Sequence, residues 1–329
     1  MNPRALYDQL VIWLDSGGTA DPYIVPTSGS TGEPKKVLLS RTALLASATA
    51  TQKRLGGPGQ WLLALPVTAV AGLQMLVRSV LAGTNPVILD EHESFAAAMG
   101  ALNHNRKYTA LVPTQLHRLL REGHGGLLRG FDAILIGGAG VSPALLAKAE
   151  AEGLKIVRTY GMTETSGGCV YDGVPLDGVE VDLAEGGRIK IAGPVLFDGY
   201  VDQPRTDKWF VTEDLGEFNE DGTLRVIGRV DDVVISGGVN IALPAVTNAL
   251  LEVPGVIDAQ AIGIPDEEWG TKVVAAVVGE VELSEVRAGV EQFGLPRSWA
   301  PQLLLHLPEL PKLSSGKTDR QKLRESIEQ

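Results

Sequence analysis

Residues Thr27 to Gly32 read T-S-G-S-T-G, four hydroxyl side chains and two glycines in six residues, with Pro34, Lys35 and Lys36 close behind. Glycines let successive backbone N–H groups converge on one point, and Ser and Thr hydroxyls add donors without bulk. The strip therefore suits an anion with several oxygens, a phosphate above all, with Lys35 or Lys36 supplying charge. It is not the nucleoside-triphosphatase P-loop, which needs Gly, four residues and then Gly-Lys-Ser/Thr. Here Gly32 is followed by Glu33, Pro34 and Lys35. Standing alone, the strip would read as a polar surface loop about one time in three, so its meaning depends on its companions.

Three further stretches supply companions. T-Y-G-M-T-E-T at 159 to 165 offers an aromatic ring, Tyr160, that could cover a base. Its acid, Glu164, has the hard oxygens that Mg²⁺ takes alongside phosphates. Taken singly, Tyr160 would be core and Glu164 a solvated face. T-E-D-L-G-E-F and the later G-R-V-D-D provide Asp214 and Arg229. A carboxylate can accept from two vicinal hydroxyls, the common answer to ribose, and an arginine can add a donor to the sugar or to a phosphate. L-P-K-L-S-S-G-K-T-D-R carries Lys317 after a small-residue lead; by itself such a lysine is ordinary solvated surface.

These residues need a frame. Helical spacing predicts helices over R-T-A-L-L-A-S-A-T-A-T-Q-K-R-L, with Ser40 as N-cap, and over G-L-Q-M-L-V-R-S-V-L-A-G, T-Q-L-H-R-L-L-R-E-G and S-P-A-L-L-A-K-A-E-A-E-G. Strands W-L-L-A-L, P-V-I-L, T-A-L-V-P and A-I-L-I-G-G alternate with them, which predicts a largely parallel α/β sheet up to about residue 160. T-Y-G-M-T-E-T then falls where such sheets leave a ligand crevice. From Gly161 to Arg229 the pieces are short, Gly-rich and β-like, and after Arg229 comes a compact tail of two helices, two strands and a final charged helix. The fold class is α/β: a large N-terminal α/β domain with a parallel sheet and a β-rich subdomain, residues 1–229, and a small α+β C-terminal domain, residues 230–329.

Composition narrows the partners. With 329 residues, 40 acidic against 29 basic side chains and a net charge of -11, the chain offers no broad basic face and no nucleic-acid partner is expected. A single cysteine, Cys169, allows no internal disulfide and fits a reducing compartment, so the expected location is cytoplasmic. The most apolar stretch, W-L-L-A-L-P-V-T-A-V-A-G-L-Q-M-L-V, is interrupted by Pro66, Thr68 and Gln74, and the N-terminal apolar run holds Asp8 and Gln9. Neither reads as a membrane span or a signal peptide.

In this order, the four stretches resemble the core motifs of the adenylate-forming superfamily: acyl-CoA synthetases, adenylation domains of peptide synthetases, and luciferases. The resemblance runs from about Pro26 to Lys317. It implies ATP as substrate, with Thr27, Ser28, Gly29, Ser30, Thr31, Gly32 and Lys35 on its phosphates and Gly138 and Ala139 along the adenine. Tyr160 would stack near the adenine, Gly161 and Met162 would take part in ATP binding, Thr163 would touch the α-phosphate, and Glu164 would hold Mg²⁺. Asp214 and Arg229 would hold ribose, Asp231 would be the hinge of a mobile C-terminal domain, and Lys317 would complete the adenylation site. L-V-P-T-Q-L-H-R-L-L, G-G-C-V-Y-D-G-V-P-L-D-G-V and V-A-G-L-Q-M-L-V-R-S look most like the ligases that join o-succinylbenzoate to CoA in menaquinone synthesis. A second carboxylate on the acid must meet donors or water, and Arg78, Gln115, Arg118 and Ser166 are the polar candidates. Taken alone, Arg78 and Arg118 read first as helix-surface residues. Two departures stand out: only 26 residues precede Thr27 where relatives carry a longer segment, which implies a reduced acyl pocket or dimer surface, and Thr68, Ala69 and Val70 replace a common histidine or aromatic ring. A homodimer, a relative that loads a carrier protein instead of CoA, and a nucleotide-binding module without turnover remain open.

Overall fold

The computed structural model describes residues 1–16, 21–27, 35–311 and 318–326. Two compact units emerge: Met1–Ala184 with Ile189–Thr212 and Phe218–Arg225, and Glu185–Arg188 with Glu213–Glu217 and Val226–Gln329.

The first unit runs α1 (Pro3–Asp15), β1 (Tyr23–Pro26), β2 (Lys36–Leu39), α2 (Arg41–Arg54), β3 (Gln60–Leu63), α3 (Val70–Ala82), β4 (Val87–Ile88), α4 (Phe95–Ala101), β5 (Lys107–Leu111), α5 (Pro113–Arg121), α6 (Gly125–Leu128), β6 (Ala133–Ile136), α7 (Pro143–Ala151), β7 (Ile156–Met162), β8 (Gly167–Tyr171) and β9 (Val174–Pro175). Beyond these come β10 (Glu180–Leu183), β11 (Arg188–Ala192), β12 (Gly199–Tyr200), β13 (Gln203–Pro204), β14 (Phe210–Phe218) and β15 (Leu224–Arg229), of which Arg188, Glu213–Glu217 and the stretch from Val226 belong to the second unit. The main sheet has the order β4-β3-β5-β6-β7-β8-β9. β3 pairs parallel with both β4 and β5, and the parallel run continues through β6 to β7 before β8 turns antiparallel. β6 is buried at all four residues, Ala133 to Ile136, as a strand covered on both faces must be. Leu44, Leu73 and Leu76 of α2 and α3 pack in the core on one side, and Leu116, Leu119 and Leu145 of α5 and α7 in the core on the other.

Local chemistry sets the ends of these helices. The Ser40 hydroxyl accepts from the Ala43 N–H at 3.3 Å, Ser142 accepts from Leu145 at 3.1 Å, and Pro113 and Pro143 open their helices where no N–H is needed. α3 stops at Gly83 in the left-handed conformation, φ 65°. The run P-V-I-L yields only two strand residues before a 3-10 turn over Leu89–Glu91, because Asp90 and Glu91 take the chain out of the sheet. α1 and α4 have no counterpart in the sequence reading; α4 is a seven-residue helix capped by Ser94, too short to show a helical period.

The second unit holds β16 (Val233–Ser236), β17 (Val239–Ala242), α8 (Leu243–Leu251), β18 (Val256–Asp266), β19 (Gly270–Gly279), α9 (Leu283–Gln292), β20 (Leu303–His306) and α10 (Arg320–Glu325). β16 and β17 form a hairpin across Gly237 and Gly238, at φ 55° and 80°, the pair of positive angles a two-residue turn needs. Along β19, Val273, Ala275 and Val277 face the core with α8 and α9, while Val274 and Ala276 face Leu310 and Leu323. That period of two makes a three-stranded sheet with helices on both faces. Among the described residues, no helix is long and apolar enough to cross a membrane.

Candidate functional site

β1 and β2 form an antiparallel hairpin in which Pro26 faces Lys36. Its mouth is closed by the Thr27 N–H donating to the Lys35 carbonyl at 2.8 Å, with the Thr27 hydroxyl 3.3 Å from the same oxygen. Ser28, Gly29, Ser30, Thr31 and Gly32 lie outside the described residues, and so does Lys317. What the structure fixes is the closed end of the hairpin at Thr27 and Lys35.

T-Y-G-M-T-E-T ends β7 and enters a 3-10 turn over Thr163–Thr165. The buried Thr165 hydroxyl receives the Met162 N–H at 2.9 Å and lies 2.7 Å from the Gly167 carbonyl, locking the turn. At Gly161 a β-carbon would stand 2.2 Å from the Gly167 oxygen, so only glycine allows β8 to come this close. Ser166 adopts φ 52°, an uncommon value for a side-chain-bearing residue, and is held there by donating to the Val195 carbonyl at 2.8 Å, while its own carbonyl accepts from the Ser47 hydroxyl.

Glu164 is clamped twice. Its carbonyl accepts from the Phe197 N–H at 2.9 Å, and its Oε1 accepts from the Tyr200 hydroxyl at 2.9 Å. Tyr200 belongs to β12, which pairs with β2 opposite Val37, and the Lys35 ammonium stands 5.1 Å from the centre of its ring. The β1–β2 hairpin and the acid, more than a hundred residues apart in the chain, therefore meet through Tyr200. Among the described residues, no three His, Cys, Asp or Glu side chains cluster as a cage for a metal. A single carboxylate with Oε2 outside the tyrosine bond fits Mg²⁺, which keeps waters and shares phosphate oxygens instead of filling an all-protein site.

Gly137 and Gly138 follow β6. A β-carbon on Gly137 would sit 2.4 Å from the Thr159 hydroxyl, and Gly138 takes φ 80°. Tyr160 packs partly buried against the core of the first unit. Asp214 lies in the middle of β14, Arg229 closes the neighbouring β15, and Asp231 lies in the turn Val230–Asp232.

The four acyl-site candidates separate. Arg118 is exposed on α5. Gln115 spans the switch of the main sheet: its Oε1 accepts from the Val112 N–H at 3.0 Å and its Nε2 donates to the Ala64 carbonyl at 2.9 Å, tying together the loops that leave β5 and β3. Ser166 is fully buried in the turn. Arg78 is not on a helix surface at all: it is 5% exposed, lies 5.1 Å from the Trp61 ring centre, and places Nη2 3.4 Å from the Tyr171 hydroxyl. Burial pulls its guanidinium below the ordinary arginine value, with Tyr171 opposing the shift. A cavity of about 10 Å³, the size of one water, borders Arg78, Trp61, Tyr108 and Gln52. Arg78 Nε and Gln74 Oε1, one helical turn apart on α3, are buried without a hydrogen-bond partner among the described residues. Gln74 and Tyr200 border the candidate site and were missed by sequence reasoning. Gln74 stood out only as a polar break in an apolar run, and nothing near Tyr200 in sequence points to Glu164.

Residues 20–201 match the AMP-binding enzyme family and residues 245–317 the AMP-binding enzyme C-terminal domain. A Mycobacterium tuberculosis (strain H37Rv) protein named "Probable 2-succinylbenzoate--CoA ligase" is 44% identical over 315 residues, covering 90% of this chain and 82% of its own. The 2-succinylbenzoate--CoA ligase of Listeria monocytogenes (strain F2365) is 32% identical over 324 residues, 92% of this chain and 69% of its own. Among solved structures, o-succinylbenzoate CoA synthetase (MenE) from Bacillus subtilis in complex with the acyl-adenylate OSB-AMP superposes with a TM-score of 0.82 at 29% identity, covering 92% of this chain and 68% of that one. The same enzyme in complex with ATP and magnesium gives 0.80 at 28% identity, with 93% and 69% covered. A match to the family over more than half the chain, a matching C-terminal domain and the shared fold lead to one conclusion: this chain belongs to the AMP-binding enzyme family.

Proposed function

We propose that the chain is an AMP-forming acid–thiol ligase that converts o-succinylbenzoate, ATP and CoA to o-succinylbenzoyl-CoA, AMP and pyrophosphate. One observation carries the choice of acid. Arg78 is a buried guanidinium with no carboxylate partner among the described residues, and a buried charge left unpaired is costly. An acid with a second carboxylate supplies the missing partner; a simple aryl or fatty acid does not. The named relatives support the same substrate.

In the first half-reaction a carboxylate oxygen bonds to the α-phosphorus of ATP as the bond to the β-phosphate oxygen breaks and pyrophosphate leaves. Two anions must meet, so alignment and charge neutralisation do most of the work. Magnesium, when bound with the nucleotide, supplies positive charge to the phosphate oxygens. Glu164 would hold it, the Thr27–Gly32 strip and Lys35 would hold the phosphates of ATP, Thr163 the α-phosphate, and Tyr160 with Gly138 and Ala139 the base. Asp214 and Arg229 take the ribose, and Lys317 closes over the reacting phosphate. In the second half-reaction the C-terminal domain turns about Asp231, Lys317 withdraws, and the CoA thiolate attacks the acyl carbon, releasing AMP. Cytoplasmic location and a homodimer belong to the same reading; light scattering of the purified protein tests the dimer.

Pyrophosphate release across an acid panel tests the substrate. o-Succinylbenzoate is expected to exceed benzoate and medium-chain fatty acids by at least about tenfold in kcat/KM, the return on one buried charge pair. Monocarboxylates turning over as well would remove the assignment, and transfer to a carrier protein in preference to CoA would move the chain to the carrier-loading class.

A further inference from the structure

We propose that Tyr200 is a positioning residue that aims the Glu164 carboxylate and couples it to the phosphate hairpin. The inference rests on the reading above that Glu164 serves the nucleotide's metal, and it adds a residue to that site. A glutamate in a turn at the end of a strand has three side-chain torsions to fix, and a carboxylate that must present one oxygen to a metal gains from having the other held. Tyr200 does this: its hydroxyl donates to Glu164 Oε1 at 2.9 Å, which leaves Oε2 outside that bond. The Phe197 N–H, three residues earlier, holds the Glu164 carbonyl at the same distance, so one short segment clamps both backbone and side chain.

That segment is itself rigid. The Tyr200 ring meets Phe197 edge-on at 5.1 Å, and Phe197 meets Phe210 at 5.1 Å. Arg205 ties the turn by donating from Nε to the Phe197 carbonyl and from its backbone N–H to the Asp198 carbonyl, both at 2.8 Å. Gly199, at φ 137°, has no room for a side chain: a β-carbon would stand 2.5 Å from the Gln203 oxygen. On its other side Tyr200 is paired to β2, and its ring carries the Lys35 ammonium at 5.1 Å. A cation over an aromatic face is attracted without being neutralised, so Lys35 is held near the mouth of the strip with its charge available. Tyr200 thus touches both groups that must act on one triphosphate, through two different interactions of one side chain.

The two interactions can be separated. Tyr200→Phe keeps the ring, its packing on Phe197 and its face toward Lys35, and removes only the hydroxyl. Tyr200→Leu removes the ring as well. ATP binding is measured by calorimetry on the full chain as Mg²⁺ is varied, with Mn²⁺ binding in the presence of ATP followed by electron paramagnetic resonance and folding by thermal melts. Tyr200→Phe is expected to raise the half-saturating Mg²⁺ about 10- to 100-fold, the usual effect of losing an outer-shell partner, with metal-free ATP binding and Tm unchanged. Excess Mg²⁺ should rescue it, whereas Glu164→Gln should not be rescued. Tyr200→Leu should in addition weaken metal-free ATP binding. If Glu164→Gln shifts the Mg²⁺ dependence and Tyr200→Phe does not, the role of Tyr200 is overturned while that of Glu164 stands. If neither shifts it, both fall. Should Tyr200→Phe melt early, the Mn²⁺ spectrum below its melting point decides: an unchanged metal environment overturns the proposal.

Discussion

Cys169 is fully buried in β8, and burial pushes its thiol up to about 12, with Thr165 drawing it slightly back. The thiolate is the reactive form, so the folded protein holds this group inert and no covalent acyl-cysteine is needed. Alkylation at pH 8, followed by mass spectrometry, should proceed at least about 1,000-fold more slowly than for an exposed thiol and reach normal rates only in denaturant. Arg78 gives a sharper contrast. Arg78→Leu keeps volume and removes a buried charge that lacks a carboxylate partner among the described residues, so stability should hold or rise. The o-succinylbenzoate KM should nevertheless increase by about 30-fold or more, the loss of a charge-assisted pair worth ~2 kcal/mol or more, while benzoate turnover changes little. A drop in Tm with unaltered selectivity would return Arg78 to a purely structural role.

α3 shows how an element constrains its residues. It carries Gln74 and Arg78, and its first turn passes so close to the preceding loop that a β-carbon on Gly72 would lie 2.2 Å from the Pro66 oxygen. Helix propensity alone makes Gly72→Ala favourable by about 1 kcal/mol, but a backbone clash at that distance forces the helix outward at a cost of about 1–3 kcal/mol. The clash should win. Differential scanning calorimetry is expected to show a Tm lower by ~2–8 °C, and because the helix moves as a body the acid's KM should rise while the ATP KM stays put. A gain in Tm would show that the loop at Pro66 yields. At this scale the sequence was most legible: α2, α3, α5 and α7 and the strands between them follow from apolar period and caps such as Ser40 and Ser142. α4 was not, because seven residues hold two turns and no period.

Across the whole molecule, the proposed division of labour assigns Glu164 and the phosphate strip to one compact unit and the Lys317 segment to the other. Lys317→Ala should therefore separate the half-reactions. Carboxylate-dependent exchange of pyrophosphate into ATP should fall by about 3–4 kcal/mol of transition-state stabilisation, while thioester formation from preformed acyl-adenylate survives. Equal loss of both steps would refute the division. The net charge of -11 is compatible with this chemistry, since cationic groups are needed only where the phosphates sit, and it discourages long-range attraction to nucleic acid.

The linear chain by itself determined the parallel sheet, the β-rich passage after it, the compact C-terminal unit and the four motif stretches, because period, caps and glycine chemistry act over a few residues. Only the tertiary structure decided that Arg78 is inside, that Gln74 beside it has an oxygen unpartnered among the described residues, and that Tyr200 joins Glu164 to the hairpin of Lys35. Those facts depend on segments that meet across 36 residues for Glu164 and Tyr200, 93 for Arg78 and Tyr171, and far more for Tyr200 and β2, and burial and hydrogen-bond partners exist only once the chain has closed on itself.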